Sequence, residues 1–170
     1  MAGMPHTFDG CGESPASVEQ IHTAFGREDY WLARLAVDAD TTTLDSLDVH
    51  PDGTVTVQVT QRLGRQLLPG PIANVVRGEL KLVNTETWVR DGDRHVRGQI
   101  LTSASGGLGS CRAETWLAPA GNGSQLRFTG RVEVRIPLLG GMFEKYIGAN
   151  LTQNVLAVME FTTAWIAEKA

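Results

Sequence analysis

From Gln125 to Ile136 the chain alternates without a break. Leu126, Phe128, Gly130, Val132, Val134 and Ile136 point one way, and Gln125, Arg127, Thr129, Arg131, Glu133 and Arg135 point the other. A period of two held this long is a β-strand with one wet face and one dry face, and a dry face must be covered. The cover follows in the sequence. Past Pro137 and Gly140-Gly141 the period lengthens: Phe143, Ile147, Leu151, Val155, Val158, Phe161 and Trp165 are spaced about 3.7 residues apart, close to the helical period. This spacing predicts a helix over about Leu138 to Lys169 that lies across the sheet.

The rest of the chain supplies the sheet. Ser14 followed by Pro15 reads as an N-cap and first helical position. Val18, Ile21 and Phe25 then keep helical spacing, Gly26 interrupts, and Trp31, Leu32 and Leu35 resume it, which predicts two short helices. Leu47 and Val49, the turn Pro51-Asp52-Gly53, and Val55, Val57, Val59 and Gln61 predict a hairpin. The segment Gly64 to Gly78 is too apolar for a solvated loop and too rich in Gly and Pro for a central strand, so it should fold back onto the domain. Strands are expected at about Glu79 to Arg90, His95 to Ser103, Cys111 to Leu117 and Gln125 to Ile136, joined by glycine-bearing turns. The fold class is therefore α+β: a curved antiparallel sheet of about seven strands, two short N-terminal helices and a long C-terminal helix packed across it. Residues 1–170 form one domain, a length that suits a single core.

Several function classes are disfavoured. A net charge of -4 with scattered Lys and Arg argues against nucleic acid, even though Arg127, Arg131 and Arg135 share a strand face. No apolar run approaches the ~20 residues of a transmembrane segment. Met1 to Gly12 lacks the features of a secretory signal, so a cytoplasmic location is the expectation. His6, His22, His50 and His95 stand far apart, and Cys11 and Cys111 form no C-x-x-C pair, so neither a metal site nor a cofactor is expected. The two cysteines read as thiols, with one bridge left open. Gly106-Gly107-Leu108-Gly109 follows a strand without opening a helix and reads as a turn, as does Asn122-Gly123-Ser124 despite matching a glycosylation sequon.

The element order resembles that of the START-like, helix-grip superfamily, which includes polyketide cyclases, lipid-transfer domains and pollen allergens. Three segments, Ser14-Pro15-Ala16-Ser17-Val18-Glu19-Gln20 before Asp29-Tyr30-Trp31, Thr85-Glu86-Thr87-Trp88, and Val134-Arg135-Ile136-Pro137-Leu138-Leu139-Gly140-Gly141, are similar to an actinobacterial domain-of-unknown-function family within it. The likeness runs from about Pro5 to Lys169. It implies a hydrophobic cavity between sheet and terminal helix, and it brings no catalytic residues with it.

Candidate pocket positions on the sheet are Val57, Val59, Glu86, Trp88, Ile100, Phe128 and Val132. On the helix they are Asn154, Val158, Phe161, Thr162 and Trp165. Asn154 and Thr162 are the polar interruptions of the helix stripe, Asn150 lying at its margin, and could either find partners in a dry core or orient a ligand. Glu86 alternates with Leu82 and Trp88, and if it faces inward it needs a partner. Trp116 alternates with Arg112 and Glu114 on an outer face. His95 reads as an exposed strand-end residue.

The favoured function is non-enzymatic binding or transport of a hydrophobic small molecule, lipid or polyketide-like, gated by Gly64 to Gly78. A cavity under ~300 Å3 would count heavily against it. The alternative is a cyclase or hydratase acting on an apolar substrate in the same cavity, which requires Glu86, His95 and Asn154 to converge. A third reading is a homodimer through the rear of the final helix, where Met142, Ala149, Leu156 and Ala164 lie.

Overall fold

The computed structural model describes residues 6–68, 70–76, 78–136 and 140–169. Alternation becomes seven antiparallel strands: β1 His6–Ser14, β2 Thr42–Val49, β3 Val55–Gly64, β4 Glu79–Asp91, β5 His95–Ala104, β6 Gly109–Ala120 and β7 Gly123–Val134. They form one curved open sheet in the order β1-β7-β6-β5-β4-β3-β2. Strands β2 to β7 are thus a meander, and β1 adds to its far edge. Tight turns allow the hairpins: Gly53 and Gly121 adopt φ of 90° and 57°, a region where a side chain would be strained.

The helices are α1 Val18–Phe25, α2 Glu28–Leu35, the single turn α3 Gly70–Ala73 and α4 Gly140–Lys169. The expected cap of α1 is corrected here. Ser17, not Ser14, caps the helix: its hydroxyl accepts from Gln20 N–H, and the Gln20 side chain accepts from Ser17 N–H, a capping box. Ser14 is instead the buried last residue of β1, where its hydroxyl accepts from Ala16 N–H and meets Thr163 Oγ1 of α4 at 2.6 Å. The expected start of the last helix at Leu138 and the Pro137 before it lie outside the described residues.

Register arranges the inner sheet face in rows that run across the strands. One row is Val57, Glu86, Ile100, Ala113, Gly130 and Phe8, and the next is Val59, Asn84, Thr102, Cys111 and Val132. Glycines let large rings lie on the sheet: a Cβ on Gly98 would sit 2.5 Å from the Trp88 ring, and one on Gly130 would sit 2.5 Å from Phe8. Cys11 and Cys111 are both free. Cys11 alternates with the inward Gly10 and Gly12 and is exposed on the outer face, whereas Cys111 belongs to the inner row, so the sheet separates them.

The terminal helix lies across this face with Phe143 and Trp165 of the expected stripe buried, and the buried face extends beyond that stripe to one side. Glu144, Gly148, Met159 and Thr162 are buried, with Leu151 and Val155 half-buried between them. Glu144 is accommodated because its carboxylate accepts the N–H of Val134, the last residue of β7, at 2.8 Å. Phe161 and Trp165, about a quarter-turn aside, are covered only because α1 and α2 pack over that flank. Asn154 lies on the same flank about two turns before Phe161 and about three before Trp165, and is exposed. Its expected place in the buried stripe is therefore corrected. On the rear, Met142, Ala149 and Ala164 are exposed, but Leu156 is half-buried and its Cδ2 would stand 3.0 Å from a Cβ on Gly12 of β1.

Candidate functional site

The space between sheet and α4 divides in two. Toward the C-terminal end of α4 it is filled by Phe25, Tyr30, Trp31, Trp88, Phe161 and Trp165, whose rings stand 4.7–6.4 Å apart in tilted and edge-on pairs. Trp31 satisfies its indole N–H on Phe25 O at 2.7 Å. This half is core.

Toward the N-terminal half of α4 a cavity of about 250 Å3 remains. Its walls come from strand ends: Leu80 and Leu82 of β4, Thr102 and Ala104 of β5, Cys111 of β6, and Val132 and Val134 of β7. Ile147 and Leu151 of α4 roof it, and Ile72 of α3, Leu108 and Ile136 close its rim. Within the segment after β3, Ile72 borders the cavity and Val76 is buried, while Leu67 and Val75 stay exposed. Alternation explains the lining: each of these strands turns every second residue toward α4, and at this end most of those residues are apolar. Burial pushes the Cys111 thiol up to about 11, so it is a protonated, weakly polar wall at neutral pH.

A chain of polar side chains runs from the cavity wall into the filled half. Thr102 Oγ1 donates to Asn84 Oδ1 at 2.7 Å, and Asn84 Nδ2 donates to Glu86 Oε2 at 3.3 Å. Glu86, 2% exposed, also accepts Trp88 Nε1–H at 3.1 Å and Arg34 Nη2 at 3.3 Å. Inward Glu86 is therefore a paired carboxylate on an interior strand. Arg34 stacks on Trp31 with its guanidinium carbon 4.4 Å from the ring centre. Burial works against the Arg34 charge, but Glu86 and Tyr30 together hold its pKa above the ordinary value. Burial raises the Tyr30 phenol, against the opposing effect of Arg34, and its hydroxyl lies 2.6 Å from Thr162 Oγ1.

Of the residues anticipated from sequence, Val132 alone lines the cavity. Val57, Val59, Trp88 and Trp165 belong to the filled core, with Ile100 and Phe161 packed against it, and Phe128 sits in a second cluster with Phe8, Ala113 and Val132. Glu86 and Thr162 sit in the polar chain. Val158 is half-buried, and Asn154 is exposed. His95 is exposed at the start of β5, so Glu86, His95 and Asn154 do not converge. Trp116 and Glu114 face outward as anticipated. The missed wall residues Leu80, Leu82, Thr102, Ala104 and Cys111 carry the same alternation as those proposed. Sequence shows which face they occupy without showing how far along the strands the packing stops.

Among the described residues no helix is long and apolar enough to cross a membrane. Comparison of solved structures gives the fold its relatives. A START superfamily protein from Mycobacterium smegmatis superposes with a TM-score of 0.54 at 14% identity, over 97% of this chain and 99% of that one. A protein of Thermus thermophilus gives 0.57 at 15% identity, with the same coverage of each chain. An uncharacterized protein of Mycobacterium tuberculosis is 36% identical over 172 residues, covering 96% of this chain and 98% of the relative. The family model described as protein of unknown function (DUF2505) matches residues 12–166. The chain belongs to the DUF2505 family and carries its sequence on a START-like fold.

Proposed function

We propose that this protein is a non-enzymatic binder or carrier of a compact hydrophobic molecule, held between the inner sheet face and the N-terminal half of α4. The observation that carries the reading is the cavity of about 250 Å3 with a nearly all-apolar lining. The space is a half-open apolar recess, and apolar surface left facing solvent forfeits the gain of burial, so its upkeep beside a tightly packed aromatic half supports a use for it.

Its size narrows the ligand. The volume of about 250 Å3 falls below the ~300 Å3 minimum expected for a ligand pocket, which counts heavily against a lipid or polyketide-like ligand and leaves the reading to a smaller molecule. An apolar cavity of ~150 Å3 already takes a benzene, so a molecule of one or two rings, or a short branched chain, fits here. Ile72 at the rim supports the segment 64–78 as the gate, since a single helical turn between two loops can shift without disturbing the sheet. The cyclase or hydratase alternative has no converging acid and base among Glu86, His95 and Asn154 to support it.

Native mass spectrometry of the purified protein, followed by organic extraction, tests the reading. A stoichiometric adduct of a small apolar compound is expected, or uptake of one when indole or naphthalene is added. Protein that stays unliganded with saturating amounts of both overturns it.

A further inference from the structure

The polar chain that ends at the cavity has a direction. Glu86 receives three groups that can only donate through the atoms concerned: the Trp88 indole N–H, an Arg34 guanidinium N–H and the Asn84 amide nitrogen. That fixes the Asn84 amide, because its NH2 must face Glu86 and its oxygen must face the other way. Thr102 Oγ1 lies 2.7 Å from that oxygen and has to supply the proton. Thr102 is one of the residues that line the cavity, and its hydroxyl is thereby spent as a donor, so only its lone pairs remain for anything else.

We propose that the cavity prefers a ligand bearing a hydrogen-bond donor, a hydroxyl or an N–H on an otherwise apolar frame, over an isostere that presents an acceptor there. This rests on the reading of the cavity as a ligand site. A hydroxyl with a free proton adapts to either kind of partner, since it rotates to suit. Thr102 cannot rotate in this way without leaving Asn84 Oδ1 unpaired in a half-buried setting. An ether or carbonyl oxygen brought against Thr102 would place lone pair against lone pair. A phenol, an alcohol or an indole-type N–H completes the chain, running ligand to Thr102 to Asn84 to Glu86. The selectivity thus traces back to Arg34 and Trp88, neither of which lines the cavity.

The test uses an isosteric pair: indole, whose five-membered ring carries N–H, and benzofuran, which carries an ether oxygen at the same place. Titrations of each into the full-length protein, followed by calorimetry, should show indole binding about tenfold tighter, the value of one hydrogen bond made against one acceptor opposed. Thr102→Val should bring the two affinities together, while Thr102→Ser keeps the preference. Asn84→Leu frees the Thr102 proton and should raise benzofuran affinity toward that of indole. Thermal melts of each variant establish that it is folded, and Thr102→Ser with wild type suffices if the others are not. Two ligands that bind equally well to wild type, or benzofuran binding the tighter, overturn the donor preference and leave the binding reading intact. Failure of both to bind the folded wild-type protein overturns the two together.

Discussion

Tyr30 of α2 and Thr162 of α4 meet through their hydroxyls at 2.6 Å, with Thr162 0% exposed. Thr162 also donates to Val158 O at 2.7 Å, so Tyr30 must be the donor in the pair. The bond pins the C-terminal half of α4 to the short helices and makes it the fixed end of the helix over the filled half of the interface. Tyr30→Phe removes the donor while keeping the ring packed against Phe25, Trp31 and Trp165, and should cost about 1 kcal/mol in urea unfolding. Thr162→Val should cost a similar amount, and the double variant less than the sum of the two. Fully additive losses would mean that the two hydroxyls are not partners.

Gly98 is the seat of Trp88. With a Cβ there only 2.5 Å from the indole ring, Gly98→Ala must push Trp88 off the sheet and strain its bond to Glu86. Overpacking of this kind costs about 1–3 kcal/mol. The denaturation midpoint should fall, and the near-ultraviolet circular dichroism of the aromatic cluster should change with it. An unaltered aromatic spectrum would contradict the placement of Trp88.

His22 gives the molecule an acid-sensitive joint. Burial, joined by the Arg90 charge, lowers its pKa, while Glu19 works the other way. A histidine with a lowered pKa in the folded state takes up its proton more readily when unfolded. Its contribution is therefore fully present above the unfolded value of about 6.5 and is lost as pH falls through the lowered folded value. The melting temperature should decline between pH 7 and pH 5, and His22→Gln should flatten that decline. An equal decline in the variant would assign the effect elsewhere.

The two thiols should react differently. Cys11 is exposed, while Cys111 is half-buried at the cavity wall and its thiol is pushed up to about 11. At pH 8 iodoacetamide should modify Cys11 first and Cys111 much more slowly, because the thiolate is the reacting form. A ligand in the cavity should slow Cys111 further and leave Cys11 unchanged. Equal protection of both would place the ligand outside the cavity.

Much of this fold is legible in the sequence, because one-sided burial writes a period into each element. The strand from Gln125 and the helix covering it are plain for that reason. Strand β1 is fainter: Gly10 and Gly12 occupy inward positions where an apolar side chain would have marked it, and Gly10 is small because Phe128 lies over it. The cap of α1 was misplaced because Ser14 and Ser17 both suit the role, and Gln20, three residues past Ser17, is the signal that separates them. Asn154 was misplaced because helical period alone does not say which flank a neighbouring layer covers. The resemblance implies a cavity between sheet and helix, but its position along the strands is not legible, for a related reason. Leu82 and Trp88 carry the same pattern on β4, yet one borders open space and the other is packed under Phe25, a difference set by where α1 and α2 end.

The most direct test of the central claim is methyl NMR of the Ile, Leu and Val side chains during titration with indole. Binding in the cavity should produce saturable shifts at Ile72, Leu82, Ile147 and Leu151, with Val55, Val57 and Leu117 of the filled core unmoved. Shifts confined to the filled core, or none that saturate, would contradict it.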